Sequence, residues 1–190
     1  MKKILLIPLS IIMIACNTGT DVDRAIIRSS VFMGNAQYII LDECNHISQV
    51  WGNAISYGQC YIEKNGWEVI DAHNYYYFGT KNLDDYIFCS DFNEALRYYT
   101  NGSHHEWVMD MIDEQMDSCR FYMKQLKSPK RKQKEKCQQA KSTFRALQAL
   151  YDCAACPSGS YQSYGTDIRR KNDEFMMECR KLDDLYRYEE

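Results

Sequence analysis

The most constraining feature of this sequence is a long series of apolar or small residues spaced three or four positions apart. That spacing places side chains on one face of an α-helix. The longest series predicts a first helix from about Arg28 to Ile62, bent near Gly52 or Gly58. Sustained strand-type alternation is found nowhere in the chain. The residues of the series are Met33, Ala36, Ile40, Cys44, Ile47, Trp51, Ala54 and Gly58.

Start signals divide the rest of the chain into further helices. Asn82 with Asp85 resembles the capped, acidic start of a second helix, and Ser103 opens a capping box for a third. Ser128-Pro129 fits the start of a fourth helix, because proline is tolerated in a first helical turn. The segment 67–80 has no clear period and stays open between a short helix and a loop.

The later apolar seams support the same architecture. The third helix carries Val108, Ile112, Cys119 and Leu126; the fourth carries Cys137, Ala140, Phe144, Leu147, Tyr151 and Ala154; the fifth carries Ile168, Asn172, Phe175, Cys179, Leu182 and Tyr186. Short connections between amphipathic helices are typical of up-and-down bundles. The sequence therefore predicts an all-α fold, an up-and-down helical bundle of four to five helices stapled by disulfides, in a single domain over residues 28–190.

Composition fits such a globular domain and excludes some functions. The 190 residues are 45% hydrophobic and 26% charged, which is typical of a packed domain. The formal net charge of -3 argues against a nucleic-acid partner, because dedicated binders carry a strong basic excess.

The N-terminus has the pattern of an export signal. A basic start, Met1-Lys2-Lys3, precedes an apolar run from Ile4 to Ile14 that is shorter than the about 20 residues a spanning helix needs. The run ends in Met13-Ile14-Ala15-Cys16, which resembles the lipobox of bacterial lipoproteins. The resemblance implies cleavage before Cys16, a diacylglycerol thioether on its sulfur and acylation of the new amino group. An ordinary signal peptide, cut near Ala15 and leaving a plain thiol, is the alternative.

These features divide the chain and locate it. Residues 1–15 are the expected lipoprotein signal peptide, and residues 16–27 are the lipidated N-terminus and its tether. The expected location is the cell envelope, lipid-anchored at the outer membrane or the periplasmic face, with surface exposure also open. The membrane is thus an expected partner through the lipid.

Eight cysteines remain for the mature domain. They are Cys44, Cys60, Cys89, Cys119, Cys137, Cys153, Cys156 and Cys179. An even number in an exported chain favours disulfides over buried thiols. A bundle with alternating helices brings Cys119 near either Cys89 or Cys137, and the sequence does not choose between these pairings.

The spacing Cys153-Ala-Ala-Cys156 matches that of thiol oxidoreductases. In those enzymes the motif opens a helix, where the positive end of the dipole stabilises a thiolate. Here the motif closes the predicted fourth helix, which favours a structural role. No metal site and no cofactor are expected, because the four histidines lack a ligand pattern. His104 and His105 fall at a helix start, where a solvated polar pair is expected.

A basic run between the third and fourth helices is the sharpest surface feature. It includes Lys124, Lys127, Lys136 and, as a candidate anion or partner patch, Lys130, Arg131, Lys132 and Lys134. Such a patch would bind an anionic envelope component or an acidic protein. A solvated corner between two helices is the alternative.

The expected function follows from the anchor and the bundle. The chain is expected to be a lipid-anchored, non-enzymatic interaction protein of the envelope that binds a protein or an anionic partner. One alternative is an envelope inhibitor or immunity protein. Another is a periplasmic thiol redox protein that uses Cys153 and Cys156.

Overall fold

A computed structural model describes residues 20–64, 69–71, 85–126 and 129–187 of the chain. Helices dominate these ranges, which confirms the all-α helical bundle. The helices are α1 (Asp21–Tyr57), α2 (Phe92–Thr100), α3 (Ser103–Gln125), α4 (Lys134–Ala155) and α5 (Tyr161–Arg187). The predicted lipidation residue Cys16 and the signal peptide lie outside the described residues.

The described residues fall into two compact units. One lies within Met1–Tyr38, Asp113–Leu150 and Lys171–Glu190, and the other within Ile39–Ile112 and Tyr151–Arg170. In the first unit, the Cys119 thiol lies 3.7 Å from the Ser29 carbonyl oxygen, and the Asn35 amide lies 3.4 Å from Gln115. Residue numbers therefore rise along α1 as they fall along α3, so the two helices are antiparallel there.

Both ends of α1 differ from the prediction. It begins at Asp21, inside the expected tether, because Thr20 and Asp23 cap its first turn reciprocally. The Asp23 amide donates to the Thr20 hydroxyl, and the Thr20 amide donates to the Asp23 carboxylate. At the other end the helix stops at Tyr57, since Gly58 has a left-handed φ of 70°.

A small antiparallel sheet replaces two stretches that were expected to be helical. Its strands are β1 (Cys60–Glu63), β2 (Val69–Asp71) and β3 (Tyr86–Cys89), in the order β2-β1-β3. Cys60 is the register partner of Asp71 on one side and of Cys89 on the other. The predicted helical structure at Cys60–Ile62 and at Tyr86–Cys89 is therefore wrong.

The second helix starts later than predicted. It begins at Phe92 because the Asp91 carboxylate accepts hydrogen bonds from the backbone amides of Asn93 and Glu94, at 2.8 and 2.9 Å. This is an N-cap, whereas the cap expected at Asn82 lies outside the described residues.

The fourth helix also starts later than predicted. A single 3-10 turn, Arg131–Gln133, precedes Lys134, so Pro129 is not a first helical residue. The Gln133 side chain accepts a hydrogen bond from the backbone amide of Lys130 at 3.2 Å. That bond closes the chain into the turn before α4 begins.

The predicted seams supply most of the core; the positions that are not buried are Gly58, Tyr151, Asn172, Cys179 and Tyr186. On α1, the seven positions from Met33 to Ala54 are all buried. Burial of apolar area at this scale is the main favourable term in folding. The one polar position of the fifth seam, Asn172, is half-buried and accepts a hydrogen bond from the Gln37 amide at 2.7 Å. Its polar atom is thus paired inside the first unit, as burial requires.

Candidate interaction sites

A buried carboxyl group joins three helices of the second unit. Glu43 on α1 is 2% exposed, and its Oε1 accepts a hydrogen bond from the Tyr99 hydroxyl of α2 at 2.7 Å. The same oxygen lies 2.6 Å from Nδ1 of His105 on α3, which is 6% exposed. A polar network that satisfies its members in this way fixes the relative positions of the elements that carry it.

This arrangement corrects the expectation for the histidine pair. His105 points into the unit and is buried, while His104 is only partly covered. The sequence contained one signal for the network. Glu43 lies three positions after Ile40 and next to Cys44, on the core side of the first seam.

Aromatic rings extend from the network to the surface. His46 stacks on Tyr99 with ring centroids 5.3 Å apart, and His104 lies 5.4 Å from His46. Trp107 follows at 6.0 Å from His104 and is 58% exposed. We call the partly exposed set His46, His104 and Trp107 the ring face. Its inner end rests on a tyrosine whose hydroxyl is held by Glu43.

The environment shifts two pKa values in this cluster. Burial, followed by the nearby Glu43 carboxyl, raises the pKa of Tyr99 far above its usual value, so its hydroxyl stays a donor. Burial lowers the pKa of His104; Glu43 opposes this shift, while His46 and His105 reinforce it. His104 is therefore held toward its neutral form.

The structure places the residues of the basic run in different environments. Lys130, Arg131 and Lys134 are exposed, whereas the position of the Lys132 side chain lies outside the description. Gln133, between them, donates from its amide to the Thr20 hydroxyl at 2.6 Å. The exposed part of the predicted patch therefore lies beside the start of α1.

Lys136, also in the run, belongs to the core of the first unit. It is 6% exposed, its Nζ lies 3.5 Å from the Asp23 carboxylate, and it sits 4.0 Å from the centre of the Tyr186 ring. Burial acts to raise the pKa of Asp23, but the Thr20 hydrogen bonds and the Lys136 ammonium outweigh it and lower that pKa. Lys136 is thus a structural cation and not part of a surface patch.

None of the eight cysteines within the described residues forms a disulfide, so the structure gives no support to the expected staples. It does bring one pair together. Cys60 and Cys89 are register partners in the sheet, and the Cys60 thiol is a hydrogen-bond neighbour that, with burial, raises the pKa of Cys89. Neither of the two pairings proposed for Cys119 appears; its thiol contacts the Ser29 carbonyl, and burial raises its pKa to about 12.

Cys137, Cys153 and Cys179 have structural surroundings, whereas Cys156 is exposed. Cys137 belongs to the apolar cluster of the first unit, and burial raises the pKa of Cys179 to about 12. The Cys153 carbonyl accepts a hydrogen bond from the buried Tyr164 hydroxyl at 2.9 Å. Since α4 ends at Ala155, the Cys153–Cys156 motif stands at the negative end of a helix dipole, opposite to the placement that activates a thiolate.

Two further findings concern the ranges that the structure describes. No group of three or more metal-type ligands could hold an ion there. None of the helices in these ranges has both the length and the apolar character that a membrane crossing requires.

Comparisons of the chain with protein-family models, with curated proteins and with solved structures gave no match.

Proposed function

We propose that this chain is a lipid-anchored, non-enzymatic interaction protein of the bacterial cell envelope. The observation that carries the binding part is the exposed Trp107 ring at the end of a ring face whose inner end is fixed by Glu43. The anchoring part rests on the Ala15-Cys16 end of the apolar N-terminal run. The two parts have separate tests.

Trp107 has the properties of a binding anchor. Tryptophan is enriched among the few interface residues that dominate binding free energy. An exposed tryptophan loses little conformational entropy on binding when neighbouring rings already hold it, which is the advantage of preorganisation. Here His104 lies beside Trp107, and behind it His46 stacks on the buried Tyr99.

The anchor is tested on the mature N-terminus. Mass spectrometry of the protein from envelope membranes is expected to show Cys16 as the first residue, with a diacylglyceryl group and an acylated amine. The variant Cys16→Ala is expected to stay unprocessed or unanchored. An unmodified N-terminus that starts after Cys16 would contradict this part of the proposal.

The binding part is tested by crosslinking in native envelopes. A discrete crosslinked complex is expected with the unaltered chain and is expected to fall by about tenfold or more with Trp107→Ala, as for an interface hot spot. Phe121→Ala is the matched control, because Phe121 is 60% exposed in the other unit. Circular dichroism of both variants verifies that they fold. Equal recovery of the crosslinked complex from the two variants would show that Trp107 is not part of the interface.

The same experiment separates the inhibitor alternative. If the captured partner is an enzyme or toxin, the purified chain is added to it and the activity is measured. Inhibition that Trp107→Ala relieves would identify the chain as an envelope inhibitor or immunity protein. If the partner stays active in the complex, the chain is an interaction protein and not an inhibitor.

A further inference from the structure

The exposed basic residues around the start of α4 form a small, mainly positive surface with the exposed Glu135 beside it. We call Lys130, Arg131 and Lys134 the basic turn. All three side chains are exposed, and within the described part of the chain none of them forms an ion pair. Their charge is therefore available to a partner outside the molecule.

The basic turn is attached to the start of α1 by one side chain. Gln133 accepts from the Lys130 amide at 3.2 Å and donates to the Thr20 hydroxyl at 2.6 Å. A second link lies next to it in the first unit. Lys136 lies 3.5 Å from Asp23, whose carboxylate is also 3.3 Å from the Tyr186 hydroxyl. The position of the basic turn beside Thr20 is thus fixed by paired groups, of which Lys136 is buried.

Chain length brings the proposed lipid to the same place. Cys16 precedes Thr20 by four residues, so their Cα atoms are separated by at most about 14 Å when the chain is fully extended. The lipid on Cys16 would place this end of the first unit against the headgroups of its membrane. A charge displayed beside Thr20 is then within reach of the membrane surface.

We infer that the basic turn contacts anionic phosphate headgroups of the membrane that holds the lipid on Cys16. This inference rests on the anchoring part of the proposed function. The lipid supplies attachment, and the basic turn supplies orientation. Membrane proteins commonly combine an acyl chain with a basic patch in this way.

Charge makes the contact specific to this surface. Without the signal peptide the chain loses Lys2 and Lys3 and no acidic residue, so its formal net charge moves from -3 to a more negative value. An anionic membrane therefore repels the protein as a whole. A local basic group overcomes this because membrane potential is screened within about 8 Å at physiological salt, and each Lys or Arg at the surface favours contact by about fivefold.

The first test measures the reactivity of lysine amines. The lipidated chain is reconstituted into phosphatidylcholine vesicles or into vesicles of equal parts phosphatidylcholine and phosphatidylglycerol. Acylation by an amine-reactive reagent is followed at each lysine by mass spectrometry. The rates at Lys130 and Lys134 are expected to fall by about fivefold or more with phosphatidylglycerol, and high salt is expected to restore them. The exposed Lys141 is the internal reference.

The second test uses variants of equal charge. When detergent is removed from a mixture of both vesicle types, the unaltered chain is expected to prefer the anionic vesicles by about fivefold or more. The triple variant Lys130→Gln, Arg131→Gln, Lys134→Gln is expected to lose this preference. The control Lys141→Gln, Arg145→Gln, Arg180→Gln removes three exposed charges from the same unit and is expected to retain it.

The outcomes separate the possible ligands. Equal lysine reactivity in both vesicle types, or equal loss of preference in both variants, would overturn the headgroup contact. Inorganic phosphate that slows acylation as strongly in phosphatidylcholine vesicles would assign the turn to free phosphate instead. If Lys130 and Lys134 are protected from acylation only in whole envelopes, the ligand of the basic turn is an acidic protein. A lipidated N-terminus with any of these results overturns this inference alone, whereas an N-terminus without lipid overturns the anchor as well.

Discussion

The Tyr99 hydroxyl donates to Glu43 Oε1 over 2.7 Å in a position where both side chains are buried. The Nδ1 atom of His105 lies 2.6 Å from the same oxygen. One carboxyl oxygen therefore holds α1, α2 and α3 in the second unit, and it also supports the rings beneath Trp107. The network is thus both a stability element and the foundation of the proposed binding face.

Tyr99→Phe is expected to lower the free energy of unfolding by about 1–3 kcal/mol, because it leaves a buried acceptor with one partner fewer. Chemical denaturation followed by circular dichroism measures this. Tyr98→Phe is the control on the neighbouring, only partly buried residue, and is expected to change the free energy by less than about 0.5 kcal/mol. Equal effects from the two variants would show that the Glu43 contact does not stabilise the fold.

Acidification is expected to destabilise the protein through His104. The groups facing its ring are Asp42, Glu43, His46 and His105, and burial is the main cause that lowers its pKa from 6.5. The unfolded chain therefore takes up this proton at a higher pH than the folded chain. The free energy of unfolding should fall as pH drops below 6.5, until the lower folded pKa is passed.

The measurement for that prediction is a denaturation series across pH. The unaltered chain is compared with His104→Gln, which cannot titrate. The free energy of unfolding of the variant is expected to change less with pH between neutral pH and the folded pKa of His104. Identical slopes would mean that other groups carry the pH dependence.

Oxidation is expected to join Cys60 and Cys89 before any other pair. Opposite residues of an antiparallel ladder have Cα atoms about 4.5–5.5 Å apart, within the range that a disulfide spans. Incubation with oxidised glutathione would oxidise the two thiols to a disulfide and reduce the glutathione disulfide to two thiols. Peptide mapping without reduction is expected to show this bridge, and the bridge is expected to raise stability by about 2–4 kcal/mol.

A control identifies the role of the strand register in that reaction. In Cys89→Ser, Cys60 is expected to remain a thiol or to carry glutathione, and no internal bridge should form there. Cys119 is expected to stay reduced throughout, since its thiol contacts the Ser29 carbonyl oxygen and has no register partner like Cys60. A bridge from Cys119 to Cys137 in the native protein would contradict the surroundings described for both residues.

Two glycines provide a matched test of backbone conformation. An added Cβ meets nothing within 4 Å at either Gly58 or Gly165, but only Gly58 has a positive φ, of 70°. Gly58→Ala is expected to destabilise the protein by about 1–2 kcal/mol, from left-handed strain. Gly165→Ala, inside α5, is expected to stabilise it by up to about 1 kcal/mol. Thermal or chemical denaturation measures the change in stability of each variant. If both variants were stabilised, or both destabilised, the left-handed conformation of Gly58 would not explain the difference.

The helical seams could be predicted because each depends only on local spacing. From Met33 to Ala54 the residues spaced three or four positions apart are the ones that become buried. The sheet could not be predicted in the same way. The strands Cys60–Glu63 and Tyr86–Cys89 are short apolar runs that fit a helix or a strand equally well. Their register partners, 23 to 29 residues away along the chain as in the pair Cys60 and Cys89, decide between the two.

The candidate sites, too, could be predicted from local sequence only in part. Exposure of Lys130 and Arg131 agrees with the charge pattern, but nothing local distinguishes them from Lys136, which is buried by contact with Asp23 and Tyr186. Glu43 occupies a core-facing position that sequence reasoning passed over. Its two partners follow 56 and 62 residues later, so only tertiary packing reveals the network.

The hydrogen bond between Thr20 and Gln133 also sets an order of events during synthesis. Thr20 leaves the ribosome 113 residues before Gln133 does, so the first turn of α1 is complete long before its partner exists. If Cys16 carries the proposed lipid, attachment at the N-terminus precedes this contact, and docking of residue 133 then completes the first unit beside the anchor.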